Sequence, residues 1–175
     1  MVEPWLRGTL GEVDALRRQV LHALELARED ALHWCASLSD EQIELRPFGA
    51  ASVGFHLRHI AGSLDRLLRY AEGRQLSPGQ LDVLAREQEP AGSTAKVLAG
   101  FVQGLDAAAA RVTTFSPEQY EEARFVGRQR LPTTLGGLLI HCAEHTQRHI
   151  GQAITTAQIV SSAEFSAPQV RLNRE

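Results

Sequence analysis

Apolar residues recur every three or four positions along the first part of the chain, at Leu10, Val13, Leu16, Val20, Leu24, Ala27, Ala31, Trp34 and Leu38. That spacing lies on one helix face and predicts a long first helix over roughly residues 8 to 38. Ser39, with Gln42 three residues later, fits a capping box opening a short helical turn. The run Arg46-Pro47-Phe48-Gly49 then breaks the chain. Ser52 is placed to cap a second helix with Val53, Leu57, Ile60, Leu64, Leu67 and Ala71 along one side, closed by Gly73. A polar connection follows, with a turn expected at Pro78-Gly79 and an end at Pro90-Ala91-Gly92. Ser93 or Thr94 starts a third helix through Val97, Phe101, Leu105, Ala108 and Val112, broken before Pro117. Residues 118–134 lose the helical period, and Phe125, Val126 and Leu131 around Gly127 suggest a short extended excursion. Thr133 or Thr134 caps a fourth helix from about Leu135 to Val160. The remaining SSAEFSAPQVRLNRE is expected to be a tail, packed on the body or frayed. Four substantial helices with almost no strand signal predict an all-α fold, an antiparallel four-helix bundle with long connections after the second and third helices.

Composition narrows the classes. The chain has 175 residues, 43% of them hydrophobic, enough to bury one core and to form a single domain over 1–175. Its N-terminal MVEPWLRGTL lacks the basic region and apolar run of a secretory signal, and no stretch reaches the ~18 apolar residues of a membrane span. A soluble, cytoplasmic protein without a membrane partner is expected. The 18 basic residues are scattered and balanced by 21 acids, so no basic face is evident and a nucleic-acid partner is not expected. Cys35 and Cys142 form no CxxC pair and read as small buried apolar residues.

The chemistry concentrates in LLIHCAEHTQRHIGQ, where His141, His145 and His149 stand at four-residue intervals. On a helical wheel the three fall along one edge of the apolar stripe, with His149 nearest the core and His141 nearest the rim. The second helix carries His56 and His59 beside its own stripe, His56 being the nearer. Several imidazoles buried together are unfavourable unless each ring nitrogen finds a partner. A metal resolves this: two histidines at i and i+4, joined by one from a neighbouring helix, make a three-nitrogen site with a coordination position left open. With no acidic cluster beside it, such a site suits zinc, nickel or ferrous iron. His22 and His33, each lone on the first helix, read as satisfied core residues or solvated ones.

A histidine in SVGFHLRHIAGSLDRLL, followed by HxxxH with a glycine and glutamine in EHTQRHIGQ, resembles the pattern of the DinB/YfiT-like superfamily. The ELRPFGAASVG approach to the second helix adds to the likeness, which spans most of the chain. The resemblance implies a four-helix bundle, in many members a homodimer, with a divalent metal on three histidines. Some members transfer groups to or from low-molecular-weight thiols such as mycothiol or bacillithiol, and some isomerise maleylpyruvate. By the same resemblance the metal ligands are His59, His145 and His149, where the wheel alone favours His56. His56 then becomes a partner to a ligand or a pocket residue, and His141 a pocket-wall candidate. The family's HRGQ reads His149-Ile150-Gly151-Gln152, so the arginine after the last histidine is absent. Arg148 instead can pair with Glu144 at i, i+4.

Two other readings share these letters. His141-Cys142-Ala143-Glu144-His145 matches HxxEH, an inverted zinc-peptidase signature, but beyond His149 the only acids are Glu164 and Glu175, both in the tail. Glu144 points about 100° away from His145, which weakens it as a catalytic base beside the more plausible proton shuttles His56 and His141. The expectation is a metal-dependent transferase or hydrolase acting on a small molecule through activated water or thiolate. The alternative is a non-catalytic metal-binding or dimeric stress-associated bundle protein.

Overall fold

The computed structural model describes residues 2–162; the expected tail from residue 163 onward, with Glu164 and Glu175, lies outside the described residues. The main helices are α1 (Ala15–Cys35), α2 (Val53–Ala71), α4 (Thr94–Val112) and α5 (Leu135–Ser161). A short α3 (Pro78–Arg86) lies between α2 and α4, and a hairpin of β1 (Ala123–Val126) and β2 (Leu131–Thr134) lies between α4 and α5. The extended excursion expected around Gly127 is this hairpin.

Side-chain caps fix the helix starts: Asp14, Ser52, Ser77, Ser93 and Thr134 each accept a hydrogen bond from a first-turn backbone N–H. The box expected at Ser39 and Gln42 is present in both directions. Two expectations shift. The first helix begins at Ala15, because Leu10 takes φ 58 and Asp14 holds the cap, and it ends at Cys35. Pro78-Gly79 is not an isolated turn but the first turn of α3, with Pro78 at its start and a Ser77–Gln80 capping box. No residue of α3 is buried, so no apolar period announces it.

Contacts between chain segments give the helix directions. Thr156 bonds Ala51 and Arg124 bonds the carbonyl of Ala71, so α2 runs antiparallel to α5. Thr94 meets Asp40 while Arg17 reaches Thr113 and Phe115, so α4 runs antiparallel to α1. Arg111, near the end of α4, pairs with Asp65 and Glu72 near the end of α2, which makes those two parallel. The sequence is therefore up, down, down, up. The connection from α2 to α4 must cross the full length of the bundle, and α3 is that crossover. It returns alongside α2, from Gln80 on Asp65 to Arg46 on Gln88.

The core between these helices includes Val20 and Leu24, Leu57, Ile60 and Leu64, Phe101 and Leu105, and Leu139 and Ile150. Cys35 and Cys142 are fully buried, and burial pushes their thiols up to about 11 and about 12, so neither offers thiolate. Gly104 lets α4 approach α2 closely: a Cβ there would stand 2.6 Å from the Ala61 Cβ. Among the described residues no helix is long and apolar enough to cross a membrane.

Candidate metal centre

Since α2 and α5 run antiparallel, His59 on one meets His145 and His149, a turn apart, on the other. One ligand atom from each of the three lies within 4.8 Å of the others. Ring centroids are 4.5 Å apart for His59 and His149, 4.5 Å for His145 and His149, and 5.0 Å for His59 and His145. The Nε2 atoms of His59 and His145 face one another at 3.3 Å. Two nitrogens each 2.0–2.1 Å from a tetrahedral ion would be separated by about 3.3 Å, so this pair fits such an ion as it stands. A nitrogen of His149 lies within 4.8 Å of both.

The outer face of the cluster is also partnered. His59 Nδ1 lies 2.8 Å from Glu87 Oε2, and the other Glu87 oxygen accepts from Arg66. His56 Nδ1 lies 3.1 Å from His149 Nδ1, so one of these rings donates to the other. Metal on Nε2 of His149 requires the proton on Nδ1, where His56 can accept it. Phe55 stacks on His59, with planes 14° apart. A different part of α2, Gly54 and Arg58, seats Glu44 in the same manner as Gly62 and Arg66 seat Glu87: Arg58 pairs with Glu44 at 2.5 Å, and a side chain at either glycine would strike the carboxylate.

Charge favours neutral rings. Burial, then the neighbouring His149 and His59, pull His56 down to about 4. Burial, then the neighbouring His149, His59 and His141 and the Arg148 guanidinium, pull His145 down to about 4. His149 is lowered by burial, His59 and Arg148, against a hydrogen bond with Gln152. Neutral imidazoles have lone pairs free for a divalent cation at neutral pH. Burial would raise the Glu87 carboxyl, but hydrogen bonds from His59 and Arg66 hold it below the usual range.

The remaining candidates separate. His56 is 5% exposed and touches the cluster through His149. His141 stands at the rim, 42% exposed, with its ring 5.4 Å from that of His145, and is not one of the three clustered ligands. Glu144 is exposed and bonded to Arg148 at 2.6 Å, the surface pair expected from their spacing. His22 is buried with Thr9 as its partner at 3.1 Å, and His33 is exposed. Glu87 is the functional candidate that the sequence reading lacked. It sits at the end of the crossover, where an isolated acid carries no local signal. The nearest hint was Gly62 and Arg66, a glycine and a cation one turn apart on α2. Glu87 also borders a groove of about 490 Å³ between α2, α3 and α4, whose walls include Val83, Val97 and Phe101. None of the clustered histidines lines that groove.

A histidine cluster shared by two helices of a four-helix bundle, with a crossover before the third long helix, defines the class of protein. A family model for the DinB superfamily matches residues 23–153, and the chain belongs to that superfamily. Among solved structures it is similar to YfiT from Bacillus subtilis, described as a probable metal-dependent hydrolase with an unusual four-helix bundle topology. The TM-score is 0.63 at 15% identity, over 83% of this chain and 89% of that one, a likeness of fold. No curated protein matches the chain.

Proposed function

We propose that His59, His145 and His149 hold one divalent transition metal (zinc, nickel or ferrous iron) and that the protein is an enzyme acting on a small electrophilic molecule, with water or a low-molecular-weight thiol as nucleophile. The observation that carries this reading is the facing pair of Nε2 atoms 3.3 Å apart, with His149 beside them. When bound, such a metal lowers the pKa of a water or thiol in its open position, making hydroxide or thiolate available near neutral pH. The protein supplies the rest. Burial favours the neutral form of His145 and His149, Glu87 and His56 hold the outer nitrogens of His59 and His149, and Phe55 packs on His59. A proton relay between the site and solvent by His141 is supported by its exposed position at the rim, 5.4 Å from the His145 ring.

Metal analysis after remetallation tests the ligand set. Wild type should retain about one metal per chain. His59→Ala, His145→Ala and His149→Ala should lose it, and His56→Ala should retain it with affinity lowered about 10–100-fold. Full occupancy in His59→Ala with loss in His56→Ala would overturn the assignment. A small thiol should perturb the spectrum of the cobalt-substituted protein; indifference to thiols, azide and imidazole would instead favour a closed, non-catalytic site.

A further inference from the structure

We propose that Glu87 is the positioning residue of the metal centre, fixing the His59 ring in the tautomer that turns its Nε2 lone pair toward His145 and His149. This rests on reading His59 as a metal ligand. The geometry leaves Glu87 few alternatives. Its side chain is 6% exposed, and its two oxygens are divided between Arg66 Nη1 and His59 Nδ1. An ionised carboxylate only accepts hydrogen bonds, and the Arg66 guanidinium on its other oxygen is the partner of a carboxylate rather than of a carboxylic acid. The proton between Glu87 and His59 therefore sits on Nδ1. Neutral imidazole carries one N–H, so Nε2 is the bare nitrogen, and it is the atom that lies 3.3 Å from His145 Nε2.

The three ligands are thereby made unequal. His59 alone has an anionic partner, which makes its free nitrogen a stronger donor; His149 has the neutral His56. The notch that admits Glu87 is built from α2 itself, because a Cβ on Gly62 would collide with the carboxylate. The crossover delivers it, since Glu87 follows directly on the last residue of α3.

Removing Glu87 alone would leave Arg66 buried and unpaired, a change that can unfold the protein, whereas replacing both members of a buried ion pair by side chains of similar size is often tolerated. The test therefore compares the full-length wild type with Arg66→Met/Glu87→Gln, which retains an oxygen for His59, and Arg66→Met/Glu87→Met, which does not. Zinc affinity is measured by chelator competition, and the protonated nitrogen of His59 is read by 15N NMR in the metal-free proteins. Wild type and the Gln variant should bind zinc within a few-fold of each other, with His59 protonated at Nδ1. The Met variant should bind about 10–100-fold more weakly, with the Nδ1–H signal lost or mixed. Equal zinc affinity in all three, or Nε2–H in metal-free wild-type His59, overturns the proposal. Absence of zinc binding by wild type defeats the metal reading and this role with it, while the NMR signal still shows whether Glu87 orients the ring.

Discussion

Gly100 and Gly104 stand one turn apart on α4, and replacing each by alanine should leave the Gly104 variant clearly the less stable of the two. Both substitutions gain helix propensity, about 1 kcal/mol for Gly→Ala in a helix interior. At Gly100 nothing lies within 4 Å of the position a Cβ would take, so Gly100→Ala should stabilise by about that amount. At Gly104 the new carbon would stand 2.6 Å from the Ala61 Cβ and 3.2 Å from its Cα. Ordinary carbon contacts are about 3.5–4.0 Å, so α2 and α4 must part locally by roughly 1 Å, and such overpacking typically costs 1–3 kcal/mol. Because the propensity gain is common to both, the difference between the variants isolates the helix contact at about 1–3 kcal/mol. Urea unfolding followed by circular dichroism resolves this, since with slopes of about 1–3 kcal/mol/M it separates the midpoints by around 1 M. Equal midpoints would refute the close approach of α2 to α4. Ala61 lies two residues from His59, so Gly104→Ala should also weaken metal binding, while Gly100→Ala should not.

Acid should destabilise the metal-free protein well above the carboxylate range. His56 falls from 6.5 to about 4 on folding, chiefly through burial, so below about pH 6.5 the unfolded chain binds protons that the folded chain does not. Stability is therefore lost as pH falls from about 6.5 to about 4, by roughly 3 kcal/mol for this group at about 1.4 kcal/mol per pH unit, with His145 acting in the same direction. Urea midpoints that stay level between about pH 7 and about pH 5 would contradict the neutral burial of these rings. At the surface, Arg148→Ala breaks only an exposed pair with Glu144, with both side chains more than half exposed. It should change stability by under about 0.5 kcal/mol and leave zinc affinity within a few-fold; loss of metal on this change would give Arg148 a part in the site that its position does not support.

Helix starts were legible because a capping residue is a local device: Ser52, Ser93 and Thr134 cap where serine or threonine precedes an apolar period. The paired histidines of α5 were legible for a similar reason, since spacing within one helix fixes their common edge. Choosing between His56 and His59 was not a local problem. The wheel ranks residues by distance from the core, and it correctly makes His56 the more buried, but a site shared with a neighbouring helix lies off that centre. The residues that the sequence could not reveal depend on topology. α3 buries none of its side chains, and Glu87 meets His59 only because the crossover runs back along α2. A pairing 28 residues apart in the chain has no period to announce it.

The notch at Gly62 has a consequence for how this chain can diverge. Glycine, arginine and glutamate at positions 62, 66 and 87 form one lock: the first gives room, the second gives charge, and the third fills both. A side chain at 62 displaces the carboxylate, and a neutral residue at 87 leaves the guanidinium without this partner, so either change made first carries a cost that the others relieve. Relatives that share the crossover should therefore carry the three residues together or lack them together, and the same holds for 54, 58 and 44, where Arg58 and Glu44 repeat the arrangement eight residues earlier on the helix. Read across an alignment, α2 would display two linked triplets, and only the one at 62, 66 and 87 should track the presence of His59.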